Sequence, residues 1–281
     1  MKRCFTLAAV LAALVLGARP AYAWDEFGHR LVARIAWANM TPQARARAIT
    51  ILRGAAPETG LRGTVSGTLS QARQIDLFVT AASWPDEVRD TMQALRMEKY
   101  HHPYRHYVDT FWRQDTDFGA VQAVDRRPDG DLLRDAPRLQ RWLGDGTPAL
   151  KAISLAWILH LVGDIHQPLH ASGRISPLDP WGDGGGNDFK LEETDPVRHF
   201  RRSLHSLWDG IITANFQQQP GESDGARLAR AAAEVGSRHP RGEFAGEIGQ
   251  RDFRQWAQAS VALAQRSVYR APLVRNQAAP A

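Results

Sequence analysis

Cysteine is nearly missing from this chain of 281 residues: Cys4, inside an apolar leader, is the only one. No disulfide can form beyond the leader, which excludes disulfide-stapled scaffolds. Long apolar runs are scarce too. Leu7 to Leu16 is too short to span a bilayer, and no other long run stands out, so no membrane anchor is expected. Charge of one sign is not in large excess. Removing Lys2, Arg3 and Arg19 with the leader takes the formal charge from +5 to about +2, too little by itself to mark a nucleic-acid binder. Internal repeats and strand-rich stretches are absent, and no linker separates two cores. The expected fold class is mainly α, one domain of the helical-bundle type, over residues 24–281, with a loose tail from about 270.

The leader has an ordered layout. Lys2 and Arg3 precede the apolar run, and Ala21-Tyr22-Ala23 is a small-x-small cleavage site. Residues 1–23 read as a secretory signal cut between Ala23 and Trp24, which implies a secreted or periplasmic protein. Thr41-Pro42 and Thr147-Pro148 are each an N-cap followed by proline at the first helical position. The patterns give helices over roughly 29–36, 42–53, 70–82 and 129–143, one from 148 that carries His160 and Asp164 and cannot continue at Pro168, and others over 197–216, 223–235 and 252–269. The segment 99–112 reads as extended or irregular, 171–187 as a loop, and 188–193 as a short strand or hairpin.

Ten histidines are present, and their placement carries the chemistry. His160 and Asp164 are one turn apart on the same face of the apolar helix. Pro168 forces a bend after that helix, which can return His170 to the same space. His205 and Asp209 repeat the spacing on another expected helix. Two such helices facing each other make a metal site in a bundle core, with donors that suit zinc. A single pair of this kind is equally an ordinary helix-surface ion pair. If cleavage frees the α-amine of Trp24, that amine and the Trp24 carbonyl form a five-membered chelate, with His29 near enough to join. Trp24 packing in a core is the alternative.

Taken together, these pieces resemble the secreted, trinuclear-zinc, single-strand-preferring nucleases of fungal and plant type. Those enzymes share a helical fold with the zinc-dependent phospholipases C. The matching pieces are Trp24 with His29, Ser83 to Arg89, Arg105 to Asp109, His160 to His170, Gly185-Gly186-Asn187 and Leu204 to Asp209. The resemblance implies three Zn²⁺. Asp86, His106, His160 and Asp164 would hold one, Trp24 and His29 with bridging Asp164 a second, and His170, His205 and Asp209 the third. It selects His106 over His101 and His102, and leaves His166, His199 and His239 as surface or supporting groups. It puts Arg89 on the scissile phosphate and counts Asp86 and Asp164 in the catalytic set. Tyr107, Asp109 and Asn187 would take a nucleobase.

The implied activity is metal-assisted hydrolysis of single-stranded DNA and RNA to 5′-phosphates, with 3′-nucleotides also dephosphorylated, by a monomer. The chain departs from the resemblance in lacking disulfides and in a longer segment between Asp86 and His106. A phospholipase C is the competing enzyme, but there the last His-x3 pair ends in Glu rather than Asp209. A zinc-binding helical protein without turnover is the competitor from another class.

Overall fold

A computed structural model describes residues 24–61, 67–89, 94–194, 201–270 and 274–276. The expected leader, residues 1–23, lies outside the described residues, as do His199 and the last five residues. The helices are α1 (Glu26–Asn39), α2 (Pro42–Arg53), α3 (Gln71–Glu87), α4 (Ala94–Tyr100), α5 (Leu132–Asp145), α6 (Pro148–His166), α7 (Leu204–Asp209), α8 (Ile211–Asn215), α9 (Asp224–Arg238) and α10 (Phe253–Leu263), with a π turn at Ala264–Val268. The mainly α expectation holds.

Local signals set most starts. The side chains of Asp25, Thr41, Ser70 and Thr147 each accept a first-turn N–H of the helix they precede, satisfying a donor that has no partner inside the helix. Around these starts the packing is organised by α6, which lies against α1, α2, α3, α5 and α10. It is apolar on nearly every side, as a central core helix must be. The 19 residues of α6 are long and apolar enough to cross a membrane by length and composition, which corrects the expectation of no further long run. Half of that stretch is buried inside the protein, and Trp157, Leu161 and Ile165 are fully enclosed.

Three further expectations are revised. The helix expected to stop at Ala82 continues through Pro85 to Glu87. Pro85 removes only one ladder donor so close to the helix end, and burial of Trp84, whose indole donates to Thr59 O at 2.8 Å, holds the last turn in place. The expected loop 171–187 contains β3 (Ser172–Ile175), a fully buried strand parallel to β1 (Thr110–Arg113), which also pairs antiparallel with β2 (Gln122–Ala123). Gly173 permits that pairing, because a Cβ there would stand 2.8 Å from the Phe111 ring. The helix expected over 197–216 is, in its described part, β5 (Arg201–Ser203) followed by α7 and α8, which break at Gly210. Strand β5 pairs with β4 (Lys190–Thr194).

Candidate metal centre

Six segments deliver side chains to one buried region. The first turn of α1 brings His29, the last turn of α3 Asp86, a 3-10 turn at Pro103–His106 brings His106, and α6 brings His160 and Asp164. The turn Pro168–His170, formed where proline ends α6, brings His170, and α7 brings His205 and Asp209. The side chains fall into three groups whose donor atoms can share a cation: His29, His160 and Asp164; Asp86, His106 and His160; and His170, His205 and Asp209.

Asp164 divides its two oxygens. Oδ1 is 3.3 Å from His29 Nε2, while Oδ2 is 3.2 Å from His106 Nδ1 and 3.4 Å from His160 Nε2. His160 is common to the first two groups, and its ring stacks on His29 with centroids 3.8 Å apart. The expected sets assigned His160 to one ion alone; here it stands between two groups. Asp86 completes the second group, with Oδ1 3.7 Å from His160 Nε2 and 3.9 Å from His106 Nδ1.

Backbone carbonyls orient three of the imidazoles. His160 Nδ1 donates to Ala82 O at 2.8 Å, His170 Nδ1 to His106 O at 2.9 Å, and His205 Nδ1 to Gly185 O at 2.7 Å. A carbonyl only accepts, so each Nδ1 carries the proton and each Nε2 keeps its lone pair. His170 and His205 then point those lone pairs at each other across 3.1 Å. Two neutral acceptors at that separation repel unless a proton or a cation lies between them. His29 is buried with no hydrogen bond on either nitrogen, and Asp164 Oδ1 has none of good geometry. Facing lone pairs, orphaned nitrogens and buried carboxylates in one cluster are a donor set that fits bound cations.

The electrostatics agree. Burial pushes the Asp86 carboxyl up to about 7, partly opposed by Arg89, and burial also raises Asp209 to about 7. Asp164 lies well above the usual carboxylate range, from burial and then from Asp86 and Asp209. Burial lowers His160 to about 3, and holds His29 and His106 well below the ordinary imidazole value. Without a cation these six groups are driven toward their neutral forms, because isolated charge is costly in a dry interior.

The supporting contacts were not visible in sequence. Gln167 is fully buried and donates from Nε2 to Asp209 Oδ1 at 2.7 Å, while its Oε1 accepts from Leu169 N. Gly163 leaves room for His29, whose Nδ1 would be 2.7 Å from a Cβ at that position. Trp24 donates its indole N–H to Gly163 O at 2.9 Å, and the next residue, Asp25, donates its backbone N–H to Asp209 O at 3.0 Å. The backbone of residue 24 is thus fixed between the Asp164 and Asp209 ends of the cluster.

Arg89 is half-buried against Asp86, with Nη2 2.8 Å from Oδ1 and Nε donating to Asp86 O. It does not pair with Glu87, which accepts from Ser83 Oγ at 2.7 Å. His106 is in the cluster and His102 is exposed, its ring 5.9 Å from Trp157. His166 is exposed and bonded to Val162 O, and exposed His239 lies 3.5 Å from Glu243. Tyr107 is half-buried against Tyr104, and its carbonyl would be 2.3 Å from a Cβ at Gly130, which requires the glycine there. Asp109 is buried at the head of β1, its carboxyl held well above the usual range by burial and by Asp183 and Asp129. Asn187 turns back onto its own loop, donating to Gly184 O at 2.8 Å.

Comparison with known proteins matches residues 24–279 to the family described as S1/P1 Nuclease. The chain is also similar to Endonuclease 4 of Arabidopsis thaliana, 27% identical over 230 residues that cover 75% of this chain. The matched part spans 62% of that relative's length. With a family match running nearly the whole length from Trp24, the chain belongs to the S1/P1 nuclease family.

Proposed function

We propose that this protein is a zinc-dependent endonuclease acting on single-stranded DNA and RNA, leaving 5′-phosphates and also removing phosphate from 3′-nucleotides. Residues 24–281 act as one nuclease domain and as a monomer, secreted or periplasmic after cleavage between Ala23 and Trp24. The observation that carries the reading is the carboxylate of Asp164, which turns one oxygen to each of two donor groups while His170, His205 and Asp209 form a third.

Nitrogen and carboxylate donors in this proportion suit zinc better than magnesium or calcium. Asp86, His106, His160 and Asp164 would hold one ion. The freed amine and carbonyl of Trp24, with His29 and Asp164, would hold the second, and His170, His205 and Asp209 the third. When bound, the ions lower the pKa of water and neutralise charge on the phosphate and the leaving oxygen. Everything else falls to the chain. Asp86 orients Arg89, whose planar fork matches phosphate oxygens and offsets charge in the transition state. Gln167 fixes Asp209, and the carbonyls of Ala82, His106 and Gly185 hold the imidazoles with their Nε2 atoms toward the centre. Tyr107, Asp109 and Asn187 take an unstacked base, which a duplex supplies only after distortion.

Asp164→Asn tests the reading. It keeps the size of the side chain and removes a charge shared by two ions. Release of acid-soluble nucleotides from single-stranded DNA should fall by at least about a hundredfold, on the scale of losing one charge-stabilising group, with the helical circular dichroism signal retained. Activity at the parent level in the Asn variant would remove Asp164 from the bridging position.

A further inference from the structure

Trp181 is 82% exposed, the most exposed large apolar side chain among the described residues, and Leu178 beside it is 73% exposed. Their loop is not loose. Ser176 and Asp179 exchange backbone hydrogen bonds, Gly182 N donates to Asp179 O at 3.0 Å, and Arg275 pairs with Asp179. Trp181 O accepts from Arg126 Nη1 at 2.7 Å, and the Arg126 guanidinium lies 3.7 Å from the centre of the Phe111 ring. Gly182, at φ +101°, packs so tightly that a Cβ would meet Phe111 at 2.8 Å. A firmly braced loop therefore holds an indole out in water, where its burial energy is forgone.

The position of this loop matters. Phe111 also packs on Gly173, and a Cβ on Gly173 would lie 3.3 Å from Asp109 Cβ. Asp109 is one residue beyond Val108, whose N–H donates to His170 O at 2.8 Å. Trp181 and Arg126 are thus linked toward His170 through Phe111, Gly173 and the Val108–Asp109 backbone, and the charge of Arg126 is felt at Asp109. Among the described residues, no carboxylate lies within 4.0 Å of the exposed Arg126 guanidinium.

We propose that Trp181 and Arg126 form a nucleotide subsite for single-stranded substrate, next to the reaction centre: the indole stacks a base neighbouring the scissile phosphate, and the guanidinium meets the adjoining backbone phosphate. An exposed indole with a cation held on the same residue's carbonyl matches the two repeating parts of a single strand, base and phosphate, and stacking on the indole is indifferent to base identity. Continuity with the centre favours nucleic acid over a protein partner as occupant. The inference rests on the nuclease reading and extends its substrate from one nucleotide to a strand.

The test uses the zinc-loaded protein beginning at Trp24 and its Trp181→Ala and Arg126→Ala variants. A phosphorothioate oligothymidylate is the binding probe, read by tryptophan emission. The cleavable oligothymidylate and a 3′-mononucleotide are the kinetic substrates. Trp181→Ala should raise KM for the oligonucleotide roughly tenfold, the scale of one stacked base, with kcat and mononucleotide hydrolysis unchanged, and should lose the oligonucleotide-induced quenching. Arg126→Ala should flatten the salt dependence of oligonucleotide binding. Unchanged KM and quenching in Trp181→Ala would overturn the subsite. So would a change in oligomeric state with KM intact, which would make the loop a protein interface. A parent protein that hydrolyses neither substrate would instead sink the nuclease reading, and the quenching comparison would still decide for or against Trp181.

Discussion

Gly163→Ala sets helix propensity directly against the metal cluster. Gly163 lies inside α6, one residue before Asp164, where alanine would ordinarily stabilise the helix by about 1 kcal/mol. Here the added Cβ would stand 2.7 Å from His29 Nδ1 and 2.9 Å from Cε1, whereas ordinary contact begins at 3.4 Å. The ring must retreat by about 0.7 Å. It cannot do so by sliding along α6, because it is already stacked on His160 at 3.8 Å. The retreat pulls Nε2 away from Asp164 Oδ1, now 3.3 Å distant. Metal–ligand distances tolerate only about 0.2 Å, so the group containing His29 should lose roughly tenfold or more in zinc affinity. Overpacking costs about 1–3 kcal/mol, which leaves the metal-free protein between unchanged and about 2 kcal/mol less stable once the helix gain is subtracted. The assays are thermal unfolding without metal and zinc titration by competition with a chromogenic chelator. A variant that is more stable than the parent and binds all of its zinc with parent affinity would refute the claim that Gly163 is there to seat His29.

Two other perturbations follow from buried acids. In the metal-free protein Asp86 and Asp209 titrate near 7 rather than near the ordinary 3.8. Folding takes up protons in that window, so metal-free stability is fully present below about pH 4 as far as these two groups are concerned and falls as pH rises through 7. Zinc bound as proposed would displace those protons, so calorimetric titration should show weaker binding with more proton release at pH 6 than at pH 8, and the thermal gain on adding zinc should be larger at pH 8. Affinity independent of pH would contradict the assignment. Tyr269 donates its hydroxyl to Asp183 Oδ2 at 2.6 Å, and burial raises the Asp183 carboxyl to about 6. Tyr269→Phe should cost about 1–3 kcal/mol, more at pH 8, where Asp183 is ionised, than at pH 5; equal losses in thermal unfolding at the two pH values would show that the hydrogen bond is not what the change removes.

Much of the site was legible because it is written in local spacings. His160 with Asp164 and His205 with Asp209 sit one turn apart on helices, and the Thr-Pro pairs at 41–42 and 147–148 announce helix starts through side-chain chemistry that needs no tertiary contact. What stayed hidden depends on neighbours distant in sequence. The apolar pattern of α3 fades after Ala82, and burial of Trp84 keeps the helix running to Asp86. Ser172 to Ile175 is too polar and glycine-bearing to read as a strand until β1 supplies its partner. Gln167 looks like a connector between a helix and a proline, yet it clamps Asp209 from 42 residues away. The carbonyls that set the imidazole tautomers, Ala82, His106 and Gly185, leave no trace in residue type at all.

The central claim is that one buried cluster, completed at its N-terminal edge by Trp24, holds several cations for phosphodiester hydrolysis. Its most direct test is elemental analysis of the purified chain beginning at Trp24 with a free amine, paired with an assay of nucleotide release from single-stranded DNA. The account predicts about three zinc ions per chain and nuclease activity that chelation abolishes and zinc restores. A protein with an extra residue before Trp24 should hold less zinc and lose most activity. Hydrolysis that persists after all metal has been removed, or a fully zinc-loaded chain that releases no nucleotides, would contradict it.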